Sequence, residues 1–121
     1  METVERLVRE EIRRDGSISF ARFMERALLE PGLGYYATAE RRVGRSGDFM
    51  TAPELHPILG AAIAELAAAT WERLGRPSRF RWREYGAGEG TLVLAAIDRL
   101  ARTAPPLLAA MEISVSEANP H

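Results

Sequence analysis

The chain has 121 residues, 46% of them apolar and 27% charged, which suits one soluble globular domain and excludes a disordered or fibrous chain. Sixteen basic and seventeen acidic residues nearly cancel, so no overall field draws nucleic acid or an anionic membrane, and neither is expected as a partner. Cysteine is absent, which removes disulfides, thiolate zinc sites and cysteine nucleophiles, and no metal site is expected.

No uncharged apolar run is long enough to span a bilayer, and Glu2, Glu5, Glu10 and Glu11 suit neither a secretory signal nor a transit peptide, so a cytoplasmic protein is expected. Val4, Leu7, Val8 and Ile12 recur at helical spacing with Gly16 beyond, which predicts an amphipathic helix over residues 3–14. Ser19 is the expected N-cap of a second helix with the stripe Phe20, Phe23, Met24, Ala27 and Leu28, ended by Pro31-Gly32. From Gly32 to Pro53 the period is lost among glycines, Tyr35-Tyr36 and the triplet Arg41, Arg42 and Arg45, which reads as a long loop with at most a short hairpin. Loops beyond about 12–15 residues are uncommon in compact domains unless they act. Residues Gly44 to Glu54 are therefore a candidate functional segment.

An alanine-rich helix is expected from Glu54 to Leu74, with Pro57 in its first turn and Leu55, Ile58, Leu59, Ile63, Leu66 and Trp71 as contacts. His56 reads as a cap or surface residue rather than a ligand. Phe80 to Tyr85 reads as a strand, Gly86 to Gly90 as a turn, Thr91 to Thr103 as a helix closed by Pro105-Pro106, and Met111 to Ser116 as a second strand. Strand, turn, helix and strand in this order make one βαβ unit with parallel pairing. Two parallel strands leave open edges. The expected fold class is therefore α/β, the beginning of a Rossmann-like fold with a helical N-terminal extension and a truncated sheet, divided into residues 1–53 and 54–121. Alternation in Arg79-Phe80-Arg81-Trp82-Arg83-Glu84 leaves two options: a first strand less covered than is usual in a doubly wound sheet, or Arg81 and Arg83 paired under the first helices.

The run Glu84-Tyr85-Gly86-Ala87-Gly88-Glu89-Gly90 sits between strand and helix, where a nucleotide-binding turn must lie. Gly86 permits the sharp exit from the strand, Gly88 lets a ligand approach backbone, and Gly90 is expected to let the helix sit close on the sheet. A dinucleotide fingerprint would place glycine where Thr91 stands, and a phosphate-cradling loop needs a lysine that this chain lacks. Gly-x-Gly-x-Gly behind an acidic residue remains, the pattern of class I methyltransferases that bind S-adenosylmethionine. Glu117, 27 positions after Gly90, is placed to accept hydrogen bonds from ribose hydroxyls at the end of the second strand. Glu84 would face the ammonium end of the methionine moiety, with Ala87 inside the turn and Glu89 at its rim.

Gly16-Ser17-Ile18-Ser19-Phe20-Ala21-Arg22-Phe23-Met24, Pro31-Gly32-Leu33-Gly34-Tyr35-Tyr36, Gly47-Asp48-Phe49-Met50-Thr51-Ala52-Pro53-Glu54 and the glycine turn through Leu92 resemble, in order, the MidA family of S-adenosylmethionine-dependent methyltransferases. That family includes a mitochondrial arginine methyltransferase that assists assembly of respiratory complex I. The resemblance implies a Rossmann-like catalytic domain, S-adenosylmethionine as cofactor, a protein side chain such as arginine as methyl acceptor, and mitochondrial location for eukaryotic relatives. It also implies that Gly47, Asp48, Phe49, Thr51 and Pro53 border the cofactor and acceptor pocket. An arginine acceptor needs a carboxylate to hold its guanidinium and take up a proton; Glu54 is the candidate. The competing reading is a non-catalytic assembly module that self-associates, as a homodimer, through its incomplete sheet. A nicotinamide dehydrogenase is disfavoured by Thr91.

Overall fold

The structure is a computed structural model that describes residues 2–39, 47–48 and 50–119. The expectations placed on Arg41, Arg42, Gly44, Arg45 and Phe49 lie outside the described residues. The chain forms two compact units, residues 1–42 with 118–121, and residues 43–117.

In the first unit, α1 (Val4–Asp15) and α2 (Phe20–Leu29) begin at side-chain caps. The Thr3 hydroxyl accepts from the Arg6 amide at 3.2 Å, and the Ser19 hydroxyl from the Arg22 amide at 3.1 Å. Each satisfies an amide that the helix itself leaves without a partner. The two helices are tied by charge: Glu11, buried on α1, accepts from Arg22 at 2.7 Å and from Arg26 at 2.9 Å. These two guanidinium groups, Arg22 first, hold the Glu11 carboxyl below its ordinary range. Beyond α2 the chain folds back on the helix end, as Gly34, Tyr35 and Tyr36 donate to the carbonyls of Glu30, Ala27 and Leu28 at 2.7, 2.9 and 2.9 Å. Among the described residues this stretch contains no hairpin.

The second unit runs α3 (Ala52–Leu55), α4 (Ile58–Arg73), β1 (Phe80–Tyr85), α5 (Thr91–Thr103), α6 (Pro105–Ala110) and β2 (Met111–Ser116). The single helix expected from Glu54 to Leu74 is broken at His56-Pro57. A residue before proline is pushed out of helical space, and His56 is extended at φ −160° and ψ 144°. Its Nδ1 then accepts the Ile58 amide at 3.1 Å, so the histidine supports the start of α4. Pro105-Pro106, expected only to close α5, also open α6, where a missing amide donor costs nothing.

The buried side of α4 is also corrected. Gly60, Ala64, Ala67 and Trp71 face inward, while Leu55, Ile58 and Leu66, expected as contacts, are 62%, 68% and 67% exposed. The cause is close approach of α5: a Cβ on Gly60 would lie 2.6 Å from the Ala95 Cβ and 2.7 Å from the Leu92 carbonyl oxygen. Only the face of smallest residues fits against a helix so near. Ala64, Ala67, Trp71, Trp82, Val93, Ala96, Leu100 and Leu107 form the core, and the Trp71 indole donates to the Pro77 carbonyl at 2.9 Å.

β1 and β2 pair in parallel, as expected, in a register from Phe80↔Met111 to Tyr85↔Ser116. Trp82 is buried while Arg81, Arg83 and Tyr85 are exposed, so β1 is the less covered strand of the two options. Arg79 and Arg81 pair across the sheet with Glu112, at 2.7 and 3.5 Å. No helix among the described residues is long and apolar enough to cross a membrane.

Candidate functional site

The site is built where both parallel strands end. Side chains alternate along β1, so Glu84 projects to the same side as buried Trp82 and half-buried Phe80. Its Oε2 is buried and has no hydrogen-bond partner, and burial pushes the carboxyl above the ordinary carboxylate value. A buried acceptor without a donor costs free energy that an incoming donor would recover. Glu84 is thus prepared for a hydrogen-bond donor or a cation.

Next to it the chain turns through Gly86, Gly88 and Gly90, all at positive φ (67°, 56° and 77°), which side chains other than glycine rarely adopt. The turn is anchored from the neighbouring strand: the Gly86 and Ala87 amides both donate to the Ser116 carbonyl, at 2.8 and 3.2 Å. A Cβ on Gly86 or Gly88 would meet nothing within 4 Å, so the outer side of the turn faces open space. The reason expected for Gly90 is corrected. A Cβ there would meet only Val93 Cγ1 at 3.6 Å, an ordinary contact, so backbone angle rather than close helix packing calls for glycine; the close packing is at Gly60.

Glu117 follows the last residue of β2, and its Oε2 accepts the Gly88 amide at 2.7 Å. Parallel pairing therefore brings the carboxylate to the middle of the turn from 29 residues away. A carboxylate has about four acceptor positions, and one of those on Glu117 is taken by the Gly88 amide. Ligands of open α/β sheets bind outside the carboxyl ends of the strands. Glu84, the turn and Glu117 all lie there.

Glu54 arrives from a third direction. Thr51-Ala52-Pro53-Glu54 enters α3, with Pro53 near its start, and Glu54 Oε1 accepts the Thr91 hydroxyl at 3.1 Å. Thr91 is the first residue of α5, directly after Gly90, so Glu54 is tied to the outgoing side of the turn. Gly47 and Asp48 form a bend upstream of α3, Gly47 half-buried and Asp48 exposed; Phe49 lies outside the described residues. In the sequence, Thr91 excludes a dinucleotide motif and opens the predicted helix, and neither points to Glu54. A hydroxyl at the head of a helix after a glycine turn was the available signal, but its partner is 37 residues away.

Residues 62–121 match the profile of a family described as "Putative S-adenosyl-L-methionine-dependent methyltransferase". The chain is 38% identical over 85 residues to the Drosophila melanogaster "Protein arginine methyltransferase NDUFAF7 homolog, mitochondrial", covering 70% of this chain and 19% of that protein. It is 35% identical over 82 residues to the Homo sapiens "Protein arginine methyltransferase NDUFAF7, mitochondrial", covering 68% and 18%. The chain thus spans less than a fifth of the length of these curated relatives. Among solved structures, a superfamily member and methyl transferase candidate from Burkholderia thailandensis, bound to S-adenosyl-homocysteine, aligns at a TM-score of 0.69 with 29% identity, over 92% of this chain and 36% of that one. A native structure of a Burkholderia thailandensis protein aligns at 0.60, also with 29% identity, over 92% and 34%.

Proposed function

Because residues 62–121 match that family of S-adenosylmethionine-dependent methyltransferases, we propose that the chain carries the cofactor-binding part of such an enzyme. The observation that carries this reading is the meeting of Glu84, the open glycine turn and Glu117 at the carboxyl ends of two parallel strands.

The residues fit S-adenosylmethionine. The orphaned Glu84 Oε2 suits the ammonium of the methionine moiety, bare backbone at Gly86 and Gly88 leaves room for the ligand, and the Glu117 carboxylate at the middle of the turn is the acceptor type that ribose hydroxyls need. When bound, the cofactor supplies an electrophilic methyl on a sulfonium. The chain's own contribution is alignment: Glu117 fixes the turn through Gly88 while holding the sugar, and Glu84 fixes the other end. The relatives named as protein arginine methyltransferases support an arginine acceptor. Glu54 is the residue proposed to hold the guanidinium with one carboxylate oxygen and take up its proton, the other oxygen being held by Thr91.

Calorimetric titration of S-adenosylhomocysteine tests the cofactor reading. The unmodified chain should bind, and Gly88→Val should lose at least about tenfold in affinity, about 1.4 kcal/mol, since a side chain there enters the open space over the turn. Equal affinity in both refutes it. The acceptor reading is tested by mass spectrometry after incubation with S-adenosylmethionine and arginine-containing peptides, with Glu54→Gln in parallel. Methyl groups on residues other than arginine, or unchanged transfer by Glu54→Gln, refute it.

Self-association is the second reading, favoured by the open outer edges of a sheet that has two strands among the described residues. A monomeric mass by light scattering at every concentration removes it.

A further inference from the structure

We infer that Thr91 is a positioning residue that latches the α3 segment to the glycine turn by orienting Glu54, so that occupancy of the turn is felt at α3. This rests on the cofactor reading above.

Among the described residues, side-chain bonds from α3 itself are few. It is a four-residue helix whose N-cap, Thr51, makes no side-chain capping bond. Thr51 and Ala52 are exposed and Leu55 is 62% exposed, so burial of apolar surface contributes little to its position. The Thr91 to Glu54 hydrogen bond, partly buried and 3.1 Å long, spans 37 residues of sequence and joins this segment to α5. The bond is long for a hydroxyl on a carboxylate, yet its charged acceptor and its partial burial both favour it.

The geometry also fixes direction. Thr91 is the first residue after Gly90, and α5 begins there without a side-chain cap from its own N-cap residue. The Glu54 carboxylate therefore lies beside the positive end of the α5 dipole, which favours negative charge. The bond holds Oε1 and with it the orientation of the carboxylate. A ligand that stiffens the turn from Gly86 to Gly90 stiffens the first residue of α5, and through it Glu54 and α3. The carboxylate proposed to meet the acceptor is thereby set by the element that meets the cofactor.

Amide hydrogen exchange at Glu54, Leu55 and His56, whose N–H groups bond to the Thr51 and Ala52 carbonyls, reads the latch directly. Thr91→Val should speed exchange there about five- to tenfold, and Thr91→Ser, which keeps the hydroxyl, should restore it. Saturating S-adenosylhomocysteine should slow these amides in the unmodified chain and in Thr91→Ser but not in Thr91→Val. Unchanged exchange in a Thr91→Val chain with an unaltered melting curve overturns the latch, as does equal protection by ligand with and without the hydroxyl. Failure of S-adenosylhomocysteine to bind the unmodified chain at all overturns the cofactor reading instead, and leaves the exchange rates without ligand to judge the hydrogen bond.

Discussion

Substituting Gly60 by alanine sets two known effects against each other at one atom. In an exposed helix the change stabilises by about 0.8–1 kcal/mol, because alanine loses less backbone entropy than glycine. Here the added Cβ would sit 2.6 Å from the Ala95 Cβ, 2.7 Å from the Leu92 carbonyl oxygen and 3.1 Å from the Ala96 amide nitrogen. Two of the three neighbours are backbone atoms of α5, so no rotamer change relieves the clash, and the helices must separate by something near 1 Å. Overpacking of this kind costs about 1–3 kcal/mol, and backbone clash puts Gly60→Ala in the upper part of that range. The net expectation is a loss of about 1–2 kcal/mol, or a fall of about 4–8 °C in melting temperature for a domain of this size. Far-UV circular dichroism melts measure it. Ala69→Gly, at an exposed site on the same helix, calibrates the propensity contribution separately. A Gly60→Ala melting temperature equal to or above that of the unmodified chain would refute the close α4–α5 approach and, with it, the explanation of why the small residues of α4 face inward.

Glu84→Gln should trade stability for binding. The folded-state carboxyl titrates above the unfolded one, so the burial penalty is absent below the unfolded value and develops as pH rises through the folded value. The variant should therefore melt higher than the parent at pH 7 and gain nothing in acid, while its S-adenosylhomocysteine affinity falls about ten- to a hundredfold, as loss of a charged hydrogen bond implies; a lower melting temperature at pH 7 contradicts the orphaned oxygen. Glu11 behaves oppositely: its folded carboxyl is held low, so the tie between α1 and α2 is intact above the unfolded value and lost as pH falls through the folded one. Amide signals of α1 and α2 followed by NMR down a pH series should show that loss, and Glu11→Gln should abolish its pH dependence. Leu100, 1% exposed, lies at the centre of the core, and Leu100→Ala should cost about 2–5 kcal/mol in urea denaturation. A loss under about 1 kcal/mol would mean the core closes over the cavity.

What could be read in advance was whatever neighbours in sequence decide. Ser19 and Gly16 act on amides and carbonyls within four residues, so the end of α1 and the start of α2 are visible from residue type. The βαβ order was equally legible, because glycines separate a strand from a helical period. The facing of α4 was not: a helix apolar nearly all round gives periodicity nothing to choose between, and the decision is made at Gly60 by the arrival of α5. By sequence pattern His56-Pro57 belongs within one helix and Pro105-Pro106 at the end of another, yet proline marks beginnings as readily as endings. In the site, the motif identified Glu84 and the turn, while the Glu117 to Gly88 and Thr91 to Glu54 bonds depend on contacts 29 and 37 residues apart, which no local pattern encodes.

The shared grip of the Ser116 carbonyl on the Gly86 and Ala87 amides gives the turn a birth order. During synthesis the glycines emerge early, but the strand that shapes them comes some thirty residues later, after α5 and α6, and loop closure on that scale must precede any reward from the contact. A slip of one place in β2 would move Ser116 and Glu117 together, losing the clamp and the acid at once. Registration of the two strands thus decides whether the turn is clamped and whether Glu117 reaches it at all.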